Sequence, residues 1–370
     1  MNAKQSVIQL LAGAGVTVGG TAPGDIVVHD ERWYGRVLAG GLLALGESYM
    51  DGWWDAESLD VFFHRVITGG LEDRARANWR LALSLIINKL FNMQTRARSM
   101  KAVHDHYDLS SKLYESFLDP YNQYTCGYFK NTDDLNVAQE QKLDLICKKL
   151  KLSASDRVLD IGCGWGGFAK YATERHGCHV TGITISNEQA TYAREYTNGL
   201  PVEIKIMDYR DISDMYDKVL VCGMIEHVGY KNYRTIMEIA HTHLTDDGLF
   251  LLHTIGGNSS ITNPDPWIDK YIFPNSMLPS IKQLGDAIEG LFVMEDWHNF
   301  GAYYDKTLLA WHTNFVTNWN KIKNNYNERF YRMWRYYLLS CAGSFRARNV
   351  QLWQIVLSKS GIPGGYVSIR

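Results

Sequence analysis

The sequence predicts an α/β protein. A doubly wound, Rossmann-like sheet is expected over residues 101–370, after a smaller, mainly helical domain over 1–90 and a linker over 91–100. Three observations predict it. Short apolar runs alternate with helix-length amphipathic segments through residue 256. The run RVLDIGCGWGG, Arg157 to Gly167, reads as a buried strand emptying into a glycine-rich turn that opens a helix. A chain of 370 residues that is 46% apolar has room for one large core and a smaller one.

In chain order, a helix is expected near Gln5 to Ala14, an extended piece over Asp25 to Val28, and then LLALGESYMDGWW from Leu42 to Trp54. These form the accessory domain. Between Asn78 and Asn92, Trp79, Leu83, Ile86 and Leu90 recur at helical spacing, with Arg80 and Lys89 off that stripe. From Leu71 to Lys101 the basic residues Arg74, Arg76, Arg80, Lys89, Arg96, Arg98 and Lys101 face only Glu72 and Asp73. Such a helix can lie on an anionic membrane, and a helix packed between two domains has the same pattern. Strands are expected at Arg157–Ile161, His179–Ile183, Val202–Ile206, Lys218–Cys222, Leu249–His253, Phe292–Trp297 and Leu352–Leu357. Before the last of these, Thr307 to Phe345 is polar, aromatic and helical in character, long enough to insert as a lid.

Composition narrows the function. A net charge of −2 argues against a general nucleic-acid binder. The cysteines Cys126, Cys147, Cys163, Cys178, Cys222 and Cys341 show neither CxxC pairs nor zinc spacing, which suits a reducing cytoplasm without a disulfide framework. His241 and His243, two apart on a helix, point in different directions and read as surface residues, so no metal is expected. No run approaches the roughly 18 apolar residues of a membrane span, and the chain reads as soluble.

The glycines point to a nucleotide-like cofactor without naming it. Gly162, Gly164 and Gly167 also fit the GxGxxG spacing of dinucleotide sites, which keeps a dehydrogenase open. Such a site usually offers a ribose-binding acid about 20 residues further on. Here the second strand ends in Thr184, Ile185 and Ser186, followed later by MDYRD (207–211) and KVLVCGMIEHVG (218–229), a methyltransferase order of motifs. Glu226 and His227 follow a central strand and His253 lies at the end of another, where active-site groups of α/β sheets gather.

The motifs GESYMDGWW (46–54), HYDLSSKLYESFLDP (106–120), QYTCGYF (123–129), VLDIGCGWGG (158–167), GITISNEQ (182–189), DYRD (208–211), GMIEHVG (223–229), LLHTIG (251–256), DPWIDKYIFP (265–274) and EDWHNFGAYYD (295–305) span nearly the whole chain. On these the chain resembles the bacterial cyclopropane-fatty-acyl-phospholipid synthases and, more distantly, the mycolic-acid cyclopropane synthases.

The resemblance implies a class I methyltransferase sheet, S-adenosylmethionine as cofactor, membrane phospholipids as partners, a homodimer, and a cytoplasmic enzyme held peripherally at the inner membrane. For the cofactor it implies Gly162 and Gly164 at the methionine part, Thr184, Ile185 and Gln189 towards the ribose and adenine, and Asp208 with Tyr209 flanking the adenine. Tyr124 and Thr125 would close over it. For catalysis it implies a bicarbonate ion as base, held by Cys126, Glu226, His253, the Ile255 backbone and Tyr304. Taken without the resemblance, Cys126 reads as a buried thiol, and Thr184 and Gln189 as a helix cap with a surface side chain. A related small-molecule N-methyltransferase, and a lipid-surface or cofactor-binding protein without turnover, are the competing functions.

Overall fold

The computed structural model describes residues 2–71 and 111–370. The basic amphipathic segment read over 78–92, the linker, and the first part of the 106–120 motif lie outside the described residues. The chain forms two compact units. Among the described residues, one combines the stretch up to residue 71 with Thr262–Pro274 and Tyr304–Val350, and the other holds the rest. This grouping departs from a contiguous 101–370 domain, because two later stretches join the N-terminal unit.

Aromatic packing explains the departure. In the first unit the helices Ala3–Ala12, Arg32–Met50 and Leu59–Thr68 accompany a two-stranded antiparallel ribbon, β1 (Ile26–Val28) and β2 (Trp54–Ala56). Its core is completed by the helices Pro266–Tyr271 and Glu328–Arg346. The Tyr336 ring lies 4.4 Å from Trp267, 5.2 Å from Phe63 and 5.6 Å from Tyr49, so one aromatic cluster draws on all three stretches. Gly343 lets the last helix approach closely: a Cβ there would sit 2.6 Å from Asp60 O.

The second unit is built on a seven-stranded sheet. Its strands are β3 (Arg157–Ile161), β4 (His179–Thr184), β5 (Val202–Ile206), β6 (Tyr216–Cys222), β7 (Leu244–Gly257), β8 (Val293–Asn299) and β9 (Val350–Ser358). All seven expected strands are present, several a few residues longer than read. The order is β5-β4-β3-β6-β7-β9-β8, parallel from β5 through β7, with β8 and β9 antiparallel. Alternation along the central strands fills two cores, one on each face. Leu159, Ile161, Val219, Val221, Phe250 and Leu252 enter one, and Val158, Leu220, Leu249 and Leu251 the other.

Consecutive strands run outward from β3 to β4 and β5, and the chain then returns to place β6 on the other side of β3. That reversal opens a crevice at the carboxyl ends of β3 and β6, where α/β sheets bind ligands. The helices flanking the crevice start on polar caps. Asp134 accepts from Val137 N–H at the start of Leu135–Leu150, and Ser186 accepts from Gln189 N–H at the start of Asn187–Tyr196.

Candidate active site

Leaving β3, the chain turns through Gly162 and Cys163, whose N–H groups donate to Ile183 O on β4 at 2.9 and 3.0 Å. Gly162, Gly164 and Gly166 all take positive φ, at +83°, +53° and +82°. Their surroundings differ. An added Cβ would meet Met224 Cγ at 2.8 Å from Gly162 and Ala193 Cβ at 3.0 Å from Gly166, and from Gly167 it would collide with Tyr121 O. At Gly164 it would meet nothing within 4 Å. Three of these glycines are therefore needed for packing, while Gly164 leaves open room against the backbone.

The polar groups around that room come from the next two strand ends. Met207 N–H donates to Thr184 O at 3.0 Å and so holds the end of β5 beside that of β4. Thr184 Oγ1 and Gln189 Oε1 are 2.9 Å apart and both residues are buried, which removes the surface reading. Ser186 caps the helix instead. Ile185 is half-buried beside them. Asp208 is buried and accepts from Arg210 N–H and from its guanidinium at 3.0 and 2.9 Å, while that guanidinium lies 4.6 Å from the Tyr209 ring centroid. A carboxylate has lone pairs beyond these two. Hydroxyl, amide and carboxylate are the partners a ribose and an adenine need, so these residues fit S-adenosylmethionine.

The segment before Cys126 lies across the same crevice. Tyr114 packs 5.3 Å from the Tyr124 ring and 5.4 Å from Trp165 of the glycine turn. Thr125 reaches the end of β6, where its Oγ1 lies 3.9 Å from Cys222 Sγ. Cys126 is fully buried, its Sγ 3.3 Å from Gly127 O. Beneath this segment is a group the sequence reading missed. Lys142, fully buried, donates from Nζ to Gln123 Oε1 and, at 2.9 Å, to Thr125 Oγ1. Gln139, one turn earlier, donates to Thr125 O at 2.8 Å. Burial pulls the Lys142 ammonium below the usual lysine range, against Cys222, Asp119, Cys126 and Asp160, which favour its charge.

A signal for Lys142 was available. Leu135, Ala138, Gln139, Lys142, Leu145, Ile146 and Lys149 all lie on the buried stripe of their helix, so polar side chains interrupt an apolar pattern. Lys142→Met should destabilise the protein by about 3 kcal/mol, because the Gln123 amide oxygen and the Thr125 hydroxyl around Nζ stay buried without their donor. Urea denaturation checks this: a loss below about 1 kcal/mol would show that the ammonium is not holding the segment.

On the other side of the crevice Glu226 follows β6 on a 3₁₀ turn, Ile225–His227. Its Oε1 accepts from Ile255 N–H on β7 at 2.8 Å, and its own carbonyl accepts from Met277 N–H at 2.7 Å. Burial pushes the Glu226 carboxyl up to about 7, opposed mainly by the Ile255 N–H. His253 pairs with Cys222 in the β6–β7 register, and its carbonyl accepts from Gly223 N–H at 2.9 Å. The ring is fully buried, and burial with the fields of Lys142 and Lys149 holds it well below the usual imidazole range. Glu226 Oε2 and His253 Nε2 are buried without a protein partner among the described residues.

Glu226 and Ile255 thus meet beyond the end of β6, where His253 faces Cys222 and Thr125 reaches the same cysteine, with Cys126 next in the chain; Gly162, Gly164, Thr184, Gln189 and Asp208 lie around the ends of β3, β4 and β5. Tyr304 belongs to the other compact unit. There it is buried, its ring stacked 4.4 Å from Phe345 and edge-on to Trp311 at 6.1 Å. His241 packs its ring 5.3 Å from Phe292 and His243 places Nδ1 2.8 Å from Asp214 O, and both are half-buried.

Residues 94–355 match the family described as mycolic acid cyclopropane synthetase. The chain belongs to this family. It is 49% identical over 357 residues to the cyclopropane-fatty-acyl-phospholipid synthase of Escherichia coli strain K12, covering 96% of this chain and 93% of that protein. A probable fatty acid methyltransferase of Pseudomonas putida is 36% identical, over 70% of this chain and 69% of that protein. Among solved structures, the cyclopropane synthase MmaA2 of Mycobacterium tuberculosis superposes with a TM-score of 0.66 at 28% identity, covering 70% of this chain and 98% of that one. The mycolic acid cyclopropane synthase CmaA1 complexed with SAH and CTAB gives 0.65 at 30% identity, with the same coverage. The family's sheet is that of the class I methyltransferases, and its members of this kind are S-adenosylmethionine-dependent transferases.

Proposed function

We propose that the chain is a cyclopropane fatty acid synthase, transferring a methylene from S-adenosylmethionine across the cis double bond of unsaturated phospholipid acyl chains. The observation that carries this reading is the 49% identity to the Escherichia coli enzyme over 96% of the chain. S-adenosylmethionine supplies an electrophilic methyl group to the alkene, and loss of one proton from that methyl closes the ring. The chain's own residues have two tasks: Gly164, Thr184, Gln189 and Asp208 seat the cofactor, and the Glu226–His253 cluster stabilises positive charge and manages the proton.

A bicarbonate ion suits that cluster because it carries both a hydroxyl and acceptor oxygens. Glu226 Oε2 is an acceptor and a neutral His253 is able to donate from Nε2, and both atoms are buried without a protein partner among the described residues. Bound there, the ion would supply the base. Ile255 serves this arrangement through Glu226, since its N–H is already given to the carboxylate. Cys126 completes the set in this reading.

The reading includes a homodimer and peripheral contact with the inner membrane from the cytoplasm. No helix among the described residues is long and apolar enough to cross a membrane. Neutralising Arg74, Arg76 and Arg80 together is expected to weaken binding to anionic vesicles and flatten its salt dependence, measured by sedimentation, while cofactor affinity holds. Equal binding at every salt concentration would remove this segment from the membrane contact. The decisive experiment incubates the protein with S-adenosylmethionine and monounsaturated phospholipid vesicles, followed by mass analysis. Acyl chains one methylene heavier and cyclopropanated support the proposal. Methylation of an amine acceptor only, or cofactor binding without any product, would overturn it.

A further inference from the structure

Strand β9 brings a side chain to the site that no motif marks. Gln354 is fully buried, and its amide nitrogen lies 3.2 Å from Nδ1 of His253. Across the imidazole, Nε2 has no protein partner among the described residues, and Gln354 Oε1 and Glu226 Oε2 share that condition. Leaving several buried polar atoms unpaired would be costly in a site of no function, at about 1–3 kcal/mol each.

A neutral imidazole carries one donor and one acceptor nitrogen, and the partner at one nitrogen decides the role of the other. His253 sits in a fully buried position between the fields of two lysines, conditions that keep it neutral. With an amide N–H directed at Nδ1, that nitrogen is the acceptor and the ring proton resides on Nε2. The ring then offers a donor, and ionised Glu226 offers in Oε2 an acceptor that likewise has no protein partner among the described residues. Without that donor, nothing on the imidazole could hold an acceptor oxygen.

We propose that Gln354 is a positioning residue that fixes His253 as the Nε2–H tautomer, so that the imidazole presents a hydrogen-bond donor to the oxygen of an anion or water held beside Glu226. The step from tautomer to turnover rests on His253 acting in the proposed cyclopropanation. The tautomer itself does not.

The test uses the full-length protein labelled with ¹⁵N-histidine, its His253 signals assigned by their loss in His253→Gln. Long-range ¹H–¹⁵N correlation is expected to show a protonated Nε2 and a pyridine-like Nδ1. In Gln354→Glu a carboxylate faces Nδ1 and can only accept, so the proton should move to Nδ1. Turnover should fall by about 10²-fold, with S-adenosylmethionine affinity by calorimetry unchanged. Gln354→Leu keeps the volume but removes the partner, so both tautomers should appear, with a smaller fall in turnover. Should Gln354→Glu fail to fold, the wild-type tautomer and Gln354→Leu still decide. A wild-type signal with the proton on Nδ1, or a tautomer indifferent to both substitutions, would overturn the proposal. A tautomer that moves as stated with turnover unchanged would support the positioning role and count instead against His253 as an active-site group.

Discussion

Glu226→Gln loses turnover by about 10²-fold or more under saturating cofactor, yet folds and binds S-adenosylmethionine as the parent protein does. The amide is nearly isosteric and its oxygen can still accept the Ile255 N–H, so the β6–β7 junction keeps its geometry. What disappears is the charge. A preorganised carboxylate in a water-excluded crevice acts on a cationic transition state far more strongly than it would in water.

The same variant carries a signature in pH. Because the folded-state value of about 7 lies above the ordinary glutamate value of 4.5, the stability this group contributes is complete below the ordinary value. It is lost as pH rises through about 7. Ionised Glu226 is therefore a cost at pH 8, of order 3 kcal/mol at most, that Gln does not bear. The variant should match or exceed the parent in urea resistance at pH 8 while being far less active. Turnover of the parent at fixed bicarbonate should rise through pH 7, and that limb should vanish in the variant. Retention of turnover within about twofold would mean that the carboxyl acts protonated, as a donor an amide can imitate, and the assignment of negative charge would fall.

Gly164→Val removes measurable binding of S-adenosylmethionine and S-adenosylhomocysteine in calorimetry. The Val side chain would project into the open room beside the backbone, the space a close-lying ligand requires. Backbone strain at φ +53° is a competing cause, and Gly199 separates the two. That residue has φ +83° and nothing within 4 Å of an added Cβ, but lies in the turn between Tyr196 and β5, at the amino end of that strand and away from the carboxyl ends that line the crevice. Gly199→Val should bear comparable strain and keep its affinity. Equal loss in both variants would assign the effect to strain, and unchanged affinity in Gly164→Val would move the cofactor elsewhere. NAD should bind neither the parent nor the variants, since the end of β4 offers Thr184 and Gln189 in place of an acid.

Local pattern determined much of this protein. A strand's burial on both faces, a glycine turn and a helix cap are written within a few neighbouring residues, which is why all seven strands, the turn at Gly162–Gly167 and the position of Glu226 after β6 could be read directly, while β7 runs four residues beyond His253, where the reading ended it. The resemblance named a cofactor for the turn, something the GxGxxG spacing alone left open. Three features needed the tertiary structure. The order β5-β4-β3-β6-β7-β9-β8 depends on pairings between distant segments. The first unit's core joins Tyr49, Trp267 and Tyr336, residues that no local period links. Lys142 and Gln354 look in sequence like faults in apolar stripes, and their meaning appears only with their partners, Thr125 and His253. A buried polar side chain is tolerated through the groups that satisfy it, and folding brings those groups in from elsewhere in the chain.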